Sequence, residues 1–159
     1  MKSLKPIIYR FANRIRKIYW FIFRPKTAGA ICLIRRIKDG GEEFLLIRQT
    51  YGSGKWTLPG GGIKKGEDPK ETVIREVKEE VALDIDNVES LGSFDTHFEY
   101  KYDTVFCFTA ILRDKNALVT IDNGEIETAE WFNCEALPGV KVFALEKALE
   151  MYKAQRSPN

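Results

Sequence analysis

Between residues 4 and 23 the apolar positions recur with a helical beat. Leu4, Ile8, Phe11, Ile15, Ile18 and Ile22 are spaced 4, 3, 4, 3 and 4, and at 100° per residue they fall within an arc of about 80°. Arg10, Arg14, Lys17 and Arg24 fall on the far side, so an amphipathic helix is predicted, with Trp20 and Phe21 breaking its polar face and Pro25 closing it. From Ala28 the period becomes that of strands. Residues 28–35 and 43–49 are predicted strands joined by a turn at Asp39-Gly40-Gly41. Residues 51–54 read as a loop, 55–58 as a short strand, and Pro59-Gly60-Gly61-Gly62 as a tight bend. A helix starts where Asp68 supplies an N-cap, Pro69 the first helical position and Glu71 the third, and it runs to about Val81. Strands near 88–94, 104–112 and 129–132 follow. A last helix, about 142–154, sets Val142, Leu145, Leu149 and Tyr152 on one face.

Composition narrows the class without changing this picture. The chain has 159 residues, 44% hydrophobic and 30% charged, which fits one globular domain (27–159) with a short appendage (1–26) and excludes disordered, collagen-like or disulfide-scaffold chains. The longest wholly apolar run is 18–23, far short of the roughly 20 residues a membrane span needs. The net charge of +2 conceals a split. Residues 1–26 hold eight Lys/Arg and no acid, leaving 17 of the 25 basic and all 23 acidic side chains, a net of −6, to the rest. A basic arm on an acidic body points to an anionic partner for the arm. Its charges run throughout and no small-residue cleavage site follows, so a cleavable leader is not expected. Cys32, Cys107 and Cys134 are odd in number and in no C-x-x-C spacing, which reads as reduced core thiols in a cytosolic compartment. The lone His97 makes no recognised zinc spacing with them.

Chemistry concentrates on the helix after Pro69. Glu76, Glu79 and Glu80 project within roughly 100° of one another, beside an apolar stripe of Val73, Val77 and Val81. Like charges so placed repel, although Arg75 can pair with Glu79 at i+4. A Glu-rich helix is ordinarily just a solvated face; a hard cation with oxygen ligands is the alternative. The context favours the cation: a glycine-rich bend, then Glu67, precede the helix, and glycines let backbone groups approach a ligand closely.

Gly61, five residues, Glu67, seven residues and then Arg75-Glu76-Val77-Lys78-Glu79-Glu80-Val81-Ala82-Leu83 resembles the Nudix box, G-x5-E-x7-R-E-U-x-E-E-x-G-U, where U is aliphatic. Every charged position matches; the departure is Ala82 in place of the usual Gly, at the helix end. Trp56 to Gly62, and Glu125 to Phe132 followed by Leu137-Pro138, resemble the segments that flank the box in the family, so residues 27 to about 152 are covered.

The resemblance implies an α/β/α sandwich around a mixed sheet, and Mg²⁺- or Mn²⁺-dependent hydrolysis of a nucleoside diphosphate linked to another moiety. It implies Glu79 and Glu80 as principal metal ligands and Glu76 as a further ligand or the general base. Glu67 and Arg75 would orient those carboxylates, and a Gly60 or Gly61 carbonyl would complete the coordination. Glu125, six residues before Trp131, is either a distal ligand or an exposed carboxylate at a strand end. Arg48, Trp56 and Tyr100 are candidate substrate contacts, and Tyr100 lies where relatives acting on dinucleoside polyphosphates carry a Tyr. Two other classes compete. A non-catalytic nucleotide-binding or regulatory module would have no reason to keep costly clustered charge, and a nucleic-acid binder would need a basic-aromatic motif that is absent. For residues 4–23 the expected partner is an anionic membrane surface, which would place the protein in the cytoplasm at the inner face of a membrane. Packing on the domain or on a second subunit is the competing reading, and the oligomeric state stays open.

Overall fold

Alternation along the first strand sets the layers of the molecule. The computed structural model describes Ile15 and residues 26–38, 41–50, 54–98, 101–114, 116–121 and 124–156. The helix expected over 4–23 lies outside them except for Ile15, whose side chain is exposed. Strand β1 (Lys26–Lys38) sends Ala30, Cys32 and Ile34 to one face of a sheet and Ile31 and Leu33 to the other. Strand β2 (Gly41–Gln49) divides Leu45 and Ile47 from Phe44 and Leu46 in the same way. Strands β3 (Gly60–Gly62), β4 (Ile85–Phe98), β5 (Lys101–Leu112) and β6 (Ile126–Asn133) complete the set, with helices α1 (Pro69–Val81) and α2 (Phe143–Arg156). The sheet order is β4-β5-β1-β2-β6, and β1 runs parallel to β5 while its other neighbours are antiparallel. The far edge of β1 is shared. Gly29–Ile31 face β3, and Arg35–Lys38 face β2.

Each face is then covered by one helix. Val73, Val77 and Val81 of α1 are fully buried against the Ala30, Cys32 and Ile34 side, and Leu145, Ala148, Leu149 and Tyr152 of α2 pack on the Leu33 and Phe44 side. Burying each such aliphatic side chain contributes on the order of 1.5–3 kcal/mol. The expected α/β/α sandwich around a mixed sheet is what the chain forms. The C-terminal end of α2 is fastened by Glu42, which accepts from the Tyr152 hydroxyl at 2.7 Å and from Arg156 at 2.8 Å.

Several local expectations are corrected. Residues 55–58 are not a strand: Trp56 and Thr57 make isolated bridges to Lys141 and Ile47. The bend expected at 59–62 is instead β3, because glycine permits a close approach to β1. A Cβ on Gly60, at φ +150°, would lie 2.2 Å from the Ala30 carbonyl oxygen. Strand β4 is longer than expected because two register shifts, at Asp86/Glu89 and Ser90/Gly92, break its alternation. Cys32 and Cys107 are buried free thiols, as expected, while Cys134 is only half-buried.

Candidate active site

The site is assembled where the glycines of β3 meet the polar face of α1. Asp68 caps the helix by accepting from the Lys70 amide at 2.8 Å, with Pro69 at the first position, so Glu67 sits just outside the first turn. From α1, one turn further on, Arg75 reaches back. Its Nε donates to Glu67 Oε1 at 2.7 Å and one terminal nitrogen to Glu67 Oε2 at 3.0 Å, a two-pronged pair. The other terminal nitrogen donates to Glu76 at 2.6 Å and to Glu79 at 3.2 Å. Glu67 also accepts from the Lys64 amide at 2.9 Å, which pins the loop between β3 and α1. A single guanidinium thus organises three carboxylates.

Glu80 turns the other way. It is 3% exposed and accepts from the Gly60 amide at 2.9 Å. Gly61 leaves room for Glu76, since a Cβ there would come within 2.5 Å of the Glu76 carboxylate. The consecutive glycines therefore serve two different needs, close approach to β1 at Gly60 and clearance for a carboxylate at Gly61.

Electrostatics divide the acids into two kinds. The Arg75 hydrogen bond, with help from the Lys64 amide, holds Glu67 down at a pKa of about 2. Burial pushes Glu80 well above the ordinary carboxylate range against the pull of the Gly60 amide, and the charges of Glu125, Glu76 and Glu79 add to the rise. Burial also raises Glu76 in spite of Arg75, with Glu79 and Glu125 contributing. Glu125, immediately before β6, is therefore within electrostatic reach of both Glu76 and Glu80.

Among the described residues no group of three or more His, Cys, Asp or Glu side chains is placed to hold a metal ion. Arg75 holds Glu67, Glu76 and Glu79, and the Gly60 amide holds Glu80. The donor set nonetheless fits a hard divalent ion: all-oxygen, multiply acidic, and containing two carboxyl groups, Glu76 and Glu80, whose charged forms burial disfavours.

Arg48 and Trp56 are together but elsewhere. The Trp56 ring packs edge-on against Phe132 at 4.8 Å on the α2 side of the sheet, and the Arg48 guanidinium lies 5.4 Å from the Trp56 centroid while pairing with Glu127 at 3.1 Å. Tyr100 lies outside the described residues. Thr50 carried no signal in the sequence, yet it donates to the carbonyls of Gly124 and Glu125 and so borders the site. Neither periodicity nor a motif marks a residue whose contribution is a hydroxyl aimed at distant backbone.

With this geometry the chain belongs to the Nudix family: the model of the NUDIX domain matches residues 25–154. Among its relatives, the NAD-capped RNA hydrolase NudC of Pseudomonas aeruginosa is 29% identical over 120 residues, 74% of this chain and 42% of NudC. Diphosphoinositol polyphosphate phosphohydrolase 3-beta of Bos taurus is 29% identical over 134 residues, 82% of this chain and 76% of the relative. The crystal structure of a C. elegans Ap4A hydrolase binary complex superposes with a TM-score of 0.70 at 24% identity, over 81% of this chain and 96% of that one, and shows the common fold. The chain spans about two-fifths of the length of NudC.

Proposed function

We propose that this protein is a divalent-metal-dependent pyrophosphohydrolase that cleaves a nucleoside diphosphate linked to another moiety, dinucleoside polyphosphates among the candidates, by attack of water on phosphorus. The observation that carries the reading is that Glu80, almost wholly buried, accepts from the Gly60 amide while Gly61 leaves room for the half-buried Glu76, so that two carboxyl groups of α1 meet the glycine backbone of β3. A purely structural helix has no use for that arrangement, because taking carboxylates out of water costs stability. The relatives' names support the chemistry: NAD-capped RNA, diphosphoinositol polyphosphates and Ap4A all contain a phosphoric anhydride.

Glu76, Glu79 and Glu80 would hold Mg²⁺ or Mn²⁺, with Glu125 and a Gly60 or Gly61 carbonyl as further oxygens. Such an ion, when bound, supplies screening of the phosphate charge and a more acidic water. The chain's own residues do the rest. Arg75, fixed by Glu67, orients Glu76 and Glu79, and the Gly60 amide orients Glu80. Glu76, with its raised proton affinity, is suited to accept a proton from the attacking water if it is not itself a ligand. Arg48, Trp56 and Tyr100 are assigned to the nucleotide's phosphate and base.

The basic segment 1–26 is assigned to an anionic membrane surface at the cytoplasmic side, with the hydrolase domain at 27–159. The deciding experiment is an assay of nucleotide sugars, dinucleoside polyphosphates, nucleoside triphosphates and ADP-ribose with Mg²⁺, with Mn²⁺ and with chelator. Metal-dependent hydrolysis of at least one class is expected; binding of a nucleotide without turnover of any class would establish a regulatory module instead.

A further inference from the structure

Where β2 ends, Thr50 is bonded to the segment that carries Glu125. The Thr50 N–H donates to the Glu125 carbonyl at 2.9 Å, and its hydroxyl lies 2.9 Å from the Gly124 carbonyl and 3.1 Å from that of Glu125. The need for such a tie is visible in the sheet. Arg48 pairs with Thr128 but Gln49 pairs with Ile126, so Glu127 is the extra residue of a bulge just after Glu125. A bulge leaves the strand end free to re-aim, and a slip of one residue turns a side chain to the other face. The negative charge of Glu125 also raises the proton affinity of Glu76 and Glu80, so like charge disfavours holding it near them. The Thr50 contacts act against both the like charge and the freedom of the bulge.

We propose that Thr50 is a positioning residue, whose hydroxyl holds Glu125 against like charge so that its carboxylate faces Glu76 and Glu80 when substrate and metal arrive. The proposal rests on reading those carboxylates as the metal and phosphate site. Backbone pairing of the Thr50 N–H alone would extend the ladder by one step; the hydroxyl adds the neighbouring Gly124 carbonyl and so fixes the turn as well as the strand.

The test compares the full chain with Thr50→Ser, Thr50→Val, Glu125→Gln and the Thr50→Val/Glu125→Gln pair. Three readouts are taken: amide hydrogen exchange over 124–126, the melting shift produced by Mn²⁺ alone, and kcat and KM on the nucleotide the wild type hydrolyses best. Thr50→Val is expected to speed exchange, shrink the Mn²⁺ shift and lower kcat about tenfold, the scale of losing a partner behind a ligand. KM should stay close to wild type, and Thr50→Ser, which keeps the hydroxyl, should restore all three readouts. With Glu125→Gln already present, Thr50→Val should change kcat by less than about twofold, since coupled residues do not add.

Wild-type kcat and Mn²⁺ shift in Thr50→Val would overturn the proposal, as would effects that multiply fully with those of Glu125→Gln. If Thr50→Val does not fold, Thr50→Ala is judged by the same criteria. If the wild type hydrolyses no nucleotide, the hydrolase reading fails on its own. The Mn²⁺ shifts then decide Thr50, unequal shifts supporting the positioning role and equal ones ending it.

Discussion

Glu80 and Glu67 lie within one short stretch of chain and respond to pH in opposite directions. Burial raises the folded pKa of Glu80, so its contribution to stability is fully present below the unfolded value and is lost as pH rises through the folded one. Arg75 lowers that of Glu67 to about 2, so its contribution is present above the unfolded value and is lost as pH falls toward 2. With chelator present, Glu80→Gln should therefore melt above wild type at pH 7, the gain fading below about pH 4, near the ordinary carboxylate value. Glu67→Gln should melt below wild type at pH 7, with the difference closing in acid. Two parallel pH profiles would contradict the assignment. Turnover gives an independent check. Glu79→Gln and Glu80→Gln should each lose more than the roughly 10–100-fold typical of groups behind the ligands, with kcat under saturating Mg²⁺ as the measure. The identities of these acids were legible in the sequence, because spacing alone puts Glu76, Glu79 and Glu80 on one face. Their inequality was not: that Glu79 stays exposed while Glu80 is sealed under Gly60 depends on where β3 lies against α1.

At the scale of elements, helix α1 ends on Ala82 in a left-handed conformation, φ 56° and ψ 28°. An L-residue with a Cβ is strained there, whereas Gly is not. Ala82→Gly should stabilise the chain by about 1 kcal/mol, the lower end of the cost of that conformation, read from the urea midpoint at unchanged slope. Turnover should be unchanged, since the Ala82 side chain is exposed at the end of the helix. A midpoint at or below that of wild type would contradict this. The helix itself was readable from Asp68, Pro69 and its valine stripe, and β1, β2 and β5 from their alternation. What failed was legibility at glycines and bulges. Gly60–Gly62 carries turn chemistry in its composition but forms a strand, because β1 approaches too closely for any side chain at Gly60. The ends of β4 were lost for the reason that Asn87 and Gly92 take positive φ and put the alternation out of phase. Periodicity also says nothing about which strand lies beside which, so the parallel pairing of β1 with β5 could not be read at all.

The whole molecule carries two charge populations in one chain: eight basic residues without an acid up to Lys26, and a net of −6 over the remainder. Among the described residues no helix is long and apolar enough to cross a membrane. Each Lys or Arg near an anionic leaflet adds about 1 kcal/mol, enough in combination with an apolar stripe to hold a domain there. Full-length protein should pellet with anionic vesicles but not with neutral ones, and a chain beginning at Lys26 should stay in the supernatant. Equal pelleting of the two chains would end the membrane reading, and aggregation of the shorter chain would show that the arm instead covers the domain.

The pairing of β1 with β5 also governs how the chain must be made. Residues 26–35 find their partners at 102–111, across a separation of 76 residues. Closing a loop of that length costs about 4 kcal/mol in chain entropy before any ladder bond forms. The β4–β5 hairpin is local and is available first, so it offers the template on which β1 docks. During synthesis β1 leaves the ribosome early and waits, with its apolar Ala30–Ile34 stretch and one whole edge uncovered, until Leu112 has emerged. A nascent chain halted anywhere short of that point leaves this edge of β1 without its partner strand.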